Sequence, residues 1–323
     1  MKSAVIPRIA VVVPCYNEKA VVPETAKRLS VLVDGLVIND RIHKESRICF
    51  VDDGSTDNTW GQIVELNRRN TYIIGLKLSR NFGHQHALLS GLLHVKNRFD
   101  CVISIDADLQ DDVEVIREFV EKFKQGCDVV YGVRESRTTD SFFKKNSALL
   151  FYRMMKVFGV DVLFNHADYR LCSSRVLDHL EEYQEANLFL RGLIPLIGYK
   201  SDIVYYNRAE RFAGTTKYPL KKMISFAIEG ITSFSVVPLR LIALAGIIVF
   251  LFSVVMSVNV FYHALLKGDT VPGWASTVLP IYFIGGVQLL SIALVGEYIG
   301  KIYKEVKRRP RYIIEATLPD ESQ

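Results

Sequence analysis

The chain reads as an α/β protein: a domain built on a largely parallel sheet, followed by amphipathic helices and a two-helix transmembrane hairpin. Three observations predict this. From Arg8 to about Gly132, short apolar runs alternate with polar turns and amphipathic stretches, the pattern of strand–helix–strand units. Polar motifs recur where those apolar runs stop, which is where such sheets bind ligands. Hydrophobic residues make up 49% of the 323, and the excess over a soluble protein is concentrated near the C-terminus in two long uncharged stretches.

Strands are predicted at Ile9–Val13, Ile48–Val51, Ile73–Leu78, Val102–Ile105 and Asp128–Tyr131, each a short aliphatic or β-branched run. Helices are predicted between them, over 20–37, 57–69, 84–96 and 113–125. Residues 141–235 read as mixed: a basic helix around Phe142–Phe158, a strand at Ala167–Cys172, a helix at Asn187–Ile197 and a strand at Asp202–Tyr206. Pro219–Phe234, with spaced apolar residues and Lys221 and Lys222 near its start, reads as an amphipathic helix on a membrane surface. Leu241–Tyr262 and Thr277–Gly296 carry no charge and are long enough to cross a bilayer, and His263–Ser276 between them holds the turn residues Gly268, Pro272 and Gly273. Lys301, Lys304, Lys307, Arg308, Arg309 and Arg311 follow the second run, against Lys267 alone in the turn, so both chain ends are expected in the cytoplasm. The expected domain limits are therefore 1–218, 219–235, 236–300 and a basic tail at 301–323.

The net charge of +5 is modest and sits largely in the last quarter, which points to a membrane surface rather than nucleic acid. No zinc-finger spacing or RNA-binding aromatic motif occurs. Cys15, Cys49, Cys101, Cys127 and Cys172 form no CxxC pair and read as free thiols in a reducing compartment. The N-terminal apolar stretch is too short for a secretion signal and Pro14 interrupts it.

The segment CVISIDADLQDD carries the most chemistry. A buried strand ends abruptly in Asp106, Asp108, Asp111 and Asp112. Carboxylates crowded at a strand end repel one another unless a positive charge sits among them. Oxygen ligands favour a hard ion, Mg²⁺ or Mn²⁺, carrying a diphosphate. The plain alternative is a solvated acidic turn before a helix. Asp52-Asp53-Gly54-Ser55-Thr56-Asp57 closes the second strand: an acidic residue there accepts hydrogen bonds from a ribose or a base N–H, Gly54 permits a tight turn, and Ser55 or Asp57 caps the next helix. Pro14-Cys15-Tyr16-Asn17-Glu18 closes the first strand, with Pro14 expected to end its pairing and Asn17 and Glu18 to cap a helix or face a nucleotide. Beyond Gly132 the polar residues are cationic: Arg134, Arg137, Lys144, Lys145 and Arg153, then Arg170, Arg208, Arg211 and Lys217. Such cations beside a membrane hairpin suit an anionic, membrane-held substrate, although any single one of them is more commonly a surface charge. His84-Gln85-His86 lacks a third ligand for zinc and reads as structural or substrate-facing.

In order along the chain, PCYNE, DDGSTDNT, SRNFGHQHALLSGL, DADLQD, ADYRL, NLFLRG, AERFAGTTKY and GEYIGKIYKEVKRRPRY resemble the family-2 glycosyltransferases of GT-A fold. The set is most similar to the polyprenyl-phosphate glycosyltransferases, bactoprenol glucosyltransferases among them, and covers nearly the whole chain. The resemblance implies that Asp53 binds the uridine of a UDP-sugar, with Pro14, Tyr16, Asn17, Glu18, Ser79 and Ala107 also at the nucleotide-sugar. It implies that Asp106 contacts sugar or ribose, that Asp108 and Gln110 hold Mg²⁺ or Mn²⁺, and that Asp168 is catalytic, with Asp106, or positions the acceptor. Arg134, Lys145, Arg170, Arg211 and Lys217 fall where the family grips a lipid phosphate, Lys217 in a loop, Arg208–Tyr218, that closes over the site. The implied activity is inverting transfer of glucose or N-acetylglucosamine from a UDP-sugar to undecaprenyl or another polyprenyl phosphate, at the cell membrane, by a homo-tetramer. Ala167 stands where relatives often have Gly, and HQH replaces a variable segment; both bear on sugar selectivity. A processive polysaccharide synthase fits less well, because neither Trp60 nor Trp274 lies in a QxxRW motif. The intact acidic motifs count against a catalytically silent scaffold, and two spans count against a lipid flippase.

Overall fold

Aliphatic runs bounded by polar turns pair into an eight-stranded mixed sheet of order β7-β5-β6-β4-β1-β2-β3-β8. The strands are β1 (Ile9–Cys15), β2 (Arg47–Asp52), β3 (Ile73–Leu78), β4 (Cys101–Ser104), β5 (Val129–Arg134), β6 (His166–Ser173), β7 (Ser201–Tyr206) and β8 (Ile314–Leu318). The helices are α1 (Val22–Ile38), α2 (Thr59–Arg69), α3 (His84–Val95), α4 (Val115–Lys124), α5 (Ser174–Glu182), α6 (Leu190–Ile197), α7 (Val237–Tyr262) and α8 (Trp274–Val306). This computed structural model describes residues 6–135, 166–185, 188–207, 237–262 and 274–318. The expected helices at Phe142–Phe158 and Pro219–Phe234, the loop Arg208–Tyr218, most of the turn His263–Ser276, and Lys145, Arg211 and Lys217 lie outside those residues.

β1, β2, β3 and β4 run parallel, and β1 lies between β2 and β4. Chain order therefore reverses at β1, the switch point where an open α/β sheet leaves a crevice at its strand ends. β1 and β2 are buried along their whole length, as continuous apolar runs in a covered parallel sheet should be. α3 comes close to that layer: a Cβ on Gly91 would lie 2.5 Å from Val12 Cγ1 and 2.6 Å from Val51 Cγ2. β6 runs antiparallel to both β4 and β5. That reversal matters for chemistry, because it brings the beginning of β6 beside the end of β4.

Three features depart from the expected reading. Pro14 does not end the first strand but sits inside β1 opposite Val51. Pairing of β1 with β4 stops at Val12, and the position of Pro14 faces that vacated side, so its missing N–H breaks no ladder bond. The tail contributes β8, which pairs antiparallel with β3. α8 continues ten residues past Gly296 to Val306, and ends where Arg308 adopts a left-handed φ of 45° ahead of Pro310.

The sheet with β8 forms one compact unit, and α7 and α8 belong to a second. Among the described residues one segment, Phe283–Val306, is long and apolar enough to cross a membrane by length and composition; Val237–Val249 is a shorter apolar stretch. Of the expected two-helix transmembrane hairpin, two helices are present among the described residues and one of them passes that test; two membrane spans are not shown. Both carry large exposed apolar side chains, Phe252 and Val255 on α7 and Leu289 and Ile292 on α8.

Candidate active site

The loops after β1, β2 and β4 meet around a cavity of about 350 Å³, joined by residues from the start of α3, from β6 and from α6. The first two loops are bound to each other. Asn17, in the left-handed region with φ 57°, accepts through Oδ1 from the Thr56 N–H at 2.8 Å and the Asp57 N–H at 3.3 Å. Its own N–H donates to Ser55 Oγ at 2.9 Å, and the Glu18 N–H donates to Thr59 Oγ1 at 2.9 Å. Asp57 accepts from the Thr59 N–H at the start of α2, one residue ahead of the N-cap position, which is Asn58. Pro14, Tyr16 and Glu18 line the cavity, and Tyr16 is exposed.

Asp53 is buried and both its oxygens are occupied: Oδ1 accepts from the Phe82 N–H at 2.7 Å and Oδ2 from the Gly83 N–H at 2.9 Å. Burial pushes its carboxyl above the ordinary range, and those two N–H groups oppose the push. The loop that carries them crosses directly over Gly54, where φ is 64° and a Cβ would lie 2.3 Å from the backbone of Arg80. Only glycine fits there. Asp53 therefore borders the cavity but acts first as a clamp on the loop after β3.

After β4 the chain makes a strained turn. Leu109 is buried with a left-handed φ of 57°, and Asp108 Oδ1 accepts from the Gln110 N–H at 3.2 Å. The result splits the expected metal pair: Asp108 lines the cavity and Gln110 turns inward, 8% exposed. Ala107 lines the cavity, and its carbonyl accepts from Thr25 Oγ1 on α1 at 2.8 Å. Burial raises the Asp106 carboxyl above its ordinary range; His84 opposes this, while Asp111, Asp168 and Asp108 add to it. Among the described residues no three His, Cys, Asp or Glu side chains form a metal cage. A magnesium-like ion needs none, since one or two carboxylates plus ligand phosphates hold it. Asp106 and Asp108, crowded at the end of β4 with Asp108 lining the cavity, fit a cation of that kind.

Asp168 is the most heavily compensated group. Its carboxylate takes a bidentate pair from Arg191, Nε to Oδ1 at 3.1 Å and Nη2 to Oδ2 at 3.0 Å, and an ion pair from the fully buried Arg170. Gln85 donates to Oδ2 at 3.3 Å, and His84 Nε2 lies 3.5 Å away. Burial alone would raise this carboxyl, but Arg191, His84 and Arg170 hold it well below the usual range. His84 also lies 3.6 Å from Asp106 Oδ1, and although burial disfavours its charge, Asp168 and Asp106 raise it to about 9. A histidine pushed up from 6.5 stabilises the fold fully below its unfolded value, and that contribution is lost as pH rises through about 9. The melting temperature of the ligand-free chain in EDTA should accordingly fall between pH 6.5 and 9, and His84→Gln should flatten that fall. An unchanged slope in the variant would remove His84 from this role.

The sequence reading and the site agree in part. Pro14, Tyr16, Glu18, Asp53, Asp106, Ala107, Asp108 and Asp168 do converge on one cavity. Asn17 supports it from behind, and Ser79 does not line it, its N–H donating instead to the Ile313 carbonyl at 3.0 Å. Arg170, expected at a lipid phosphate, faces inward with 1% exposure and bonds Asp168 and the Leu190 carbonyl. A long cation next to a buried aspartate is drawn under it rather than out to solvent. Arg134 is likewise engaged, pairing with buried Asp111 at 3.1 Å beside the Tyr206 hydroxyl, which donates to the same Asp111 oxygen at 2.5 Å. Arg191 is the cavity cation that the sequence did not single out, NLFLRG being its only signal, whereas His84, expected to be structural or substrate-facing, lines the cavity beside Asp106 and Asp168.

The profile of the family described as Glycosyl transferase family 2 matches residues 10–181 of this chain. Among curated proteins, the "Uncharacterized glycosyltransferase YkoT" of Bacillus subtilis (strain 168) is 55% identical over 315 residues, 98% of this chain and 93% of that protein. The "Prophage bactoprenol glucosyl transferase homolog" of Escherichia coli (strain K12) is 37% identical over 309 residues, 95% of this chain and 98% of its own. The "SfII prophage-derived bactoprenol glucosyl transferase" of Shigella flexneri is 38% identical, covering 95% of this chain and 97% of its own. Among solved structures, glucosyl-3-phosphoglycerate synthase of Mycobacterium tuberculosis in complex with Mn²⁺, UDP-glucose and phosphoglyceric acid aligns over 70% of this chain and 78% of its own, with TM-score 0.45 and 17% identity. That likeness is too distant to bear on the chemistry of this chain.

Proposed function

The chain belongs to glycosyltransferase family 2, and from that premise we propose that it transfers a hexose from a UDP-sugar to a polyprenyl phosphate with inversion at the anomeric carbon. The observation that carries the acceptor is the extent of the likeness: proteins named bactoprenol glucosyl transferase match 95% of this chain, α7 and α8 included. A soluble acceptor would require no such helices. The donor is supported by a cavity at the switch point of the sheet, lined by Asp53, Asp106, Asp108 and Asp168 together with Arg191 and His84.

In this reading the nucleotide lies against the bound pair of loops after β1 and β2. Asp108, with Asp106 beside it, would hold Mg²⁺ or Mn²⁺, which supplies charge stabilisation for the departing diphosphate. Arg191 and His84 add fixed positive charge to the same cavity. An oxygen of the lipid phosphate attacks the anomeric carbon from the face opposite UDP; the new C–O bond forms as the bond to the diphosphate breaks. An α-linked donor gives a β-linked product. The acceptor phosphate has its second pKa near about 6, so it is already ionised and needs no strong base. Asp168 then serves as a positioning residue, which its three cationic neighbours favour. With Arg134 engaged by Asp111, the proposed grip on the lipid phosphate falls to Lys145, Arg211 and Lys217. The helices confine the search for acceptor to the membrane plane and raise its effective concentration.

Membranes carrying the chain, incubated with labelled UDP-glucose or UDP-N-acetylglucosamine and undecaprenyl phosphate, should form an acid-labile lipid-phosphate sugar that EDTA abolishes. Sugar release to water alone, or polymer in place of a single-sugar lipid, would overturn the reading.

A further inference from the structure

We propose that β8 is a positioning element for the donor cavity: by pairing with β3 it fixes the Ser79–His84 loop that forms one cavity wall. This rests on the cavity being the nucleotide-sugar site. Without β8, strand β3 would present an open edge, since its other side is taken by β2. The ladder runs from Gly75 opposite Leu318 to Leu78 opposite Ile314, with an irregularity between Lys77 and Leu78. Past that irregularity the pairing reaches the loop itself, where the Ser79 N–H donates to the Ile313 carbonyl at 3.0 Å.

The strand is held at both ends. At the far end Leu318 packs against the core in space left by Gly75, where a Cβ would lie 2.7 Å from Leu318 Cδ1. At the near end Arg311 donates to the Tyr183 carbonyl at 2.6 Å. Between them Lys77 Nζ meets Glu315 Oε1 at 2.7 Å. From Ser79 the chain leads directly to the cavity. Arg80 crosses Gly54, Asn81 and His84 line the cavity, and Phe82 and Gly83 bind Asp53. A loop already fixed at its entrance loses less freedom when a ligand closes against it, so affinity rises without a new contact.

The test uses UDP with Mg²⁺ as the probe, and the intact chain is measured first. If the intact chain does not bind UDP, the donor assignment fails and β8 is not at issue. A chain lacking residues 312–323 should bind UDP about tenfold more weakly while its KM for lipid phosphate stays unchanged. A synthetic peptide of residues 312–320, added in trans, should restore UDP binding by rebuilding the edge. A shortened chain that unfolds cooperatively yet binds UDP as the intact one does would overturn the proposal. Should the shortened chain fail to fold, the charge pair decides. Glu315→Lys should weaken UDP binding about threefold, and adding Lys77→Glu should recover it. Unchanged binding in the single variant, or no recovery in the double, would overturn it equally.

Discussion

Asp108→Ala is expected to lower lipid-phosphate sugar formation by about 10³-fold or more, with no loss of folding stability. The first half follows from the charge stabilisation that a bound divalent ion gives a departing diphosphate, worth several kcal/mol at about tenfold per 1.4 kcal/mol. The second half follows from the geometry of the site. Asp108 lines the cavity and accepts from the Gln110 N–H two residues along the chain, and its charge adds to the repulsion that raises Asp106. Removing it relieves that repulsion. Melting temperature at or slightly above that of the parent, together with near-complete loss of product, is the expected pair of readings. Activity within tenfold of the parent at saturating Mg²⁺ would remove Asp108 from the proposed ion site. A drop in melting temperature would show that the carboxylate is structural.

What the sequence made legible was what local chemistry dictates. The first five strands and first four helices follow from apolar runs and amphipathic spacing, and they fall within a few residues of their expected limits. The three acidic or polar loops were recognisable because carboxylates at strand ends demand a reason. Features set by long-range geometry were not legible. β8 is five residues with no strong strand signature, and it forms because β3 offers an unpaired edge. The inward turn of Arg170 depends on the antiparallel course of β6, which no periodicity encodes. Arg191 follows a modest motif on a short helix; its importance appears only when α6 is seen to place it across both oxygens of Asp168. Asp53 gave the right location and an incomplete role, because a sequence does not reveal that two backbone N–H groups have already taken its oxygens.

Asp168→Asn should destabilise the chain by about 3 kcal/mol or more, the scale for breaking a buried ion pair from one side. The variant keeps the shape and removes the charge, leaving Arg170, 1% exposed, with a neutral partner. Arg191 loses its bidentate carboxylate as well, and with it the geometry that holds its guanidinium at the cavity. Urea unfolding measures the first effect: a midpoint shifted down at constant slope is expected. The second effect separates positioning from base catalysis. A group held far below the ordinary carboxylate range remains ionised through the acidic limb of any practical pH profile. The parent enzyme should therefore show no acidic limb that vanishes in Asp168→Asn; only the height of the profile should fall. If Arg191 is the element being positioned, Arg191→Gln should reproduce much of that fall, and the double variant should be little worse than either single one. A variant as stable as the parent, or an acidic limb specific to the parent, would mean that Asp168 stands free of its cations during catalysis and takes a proton directly.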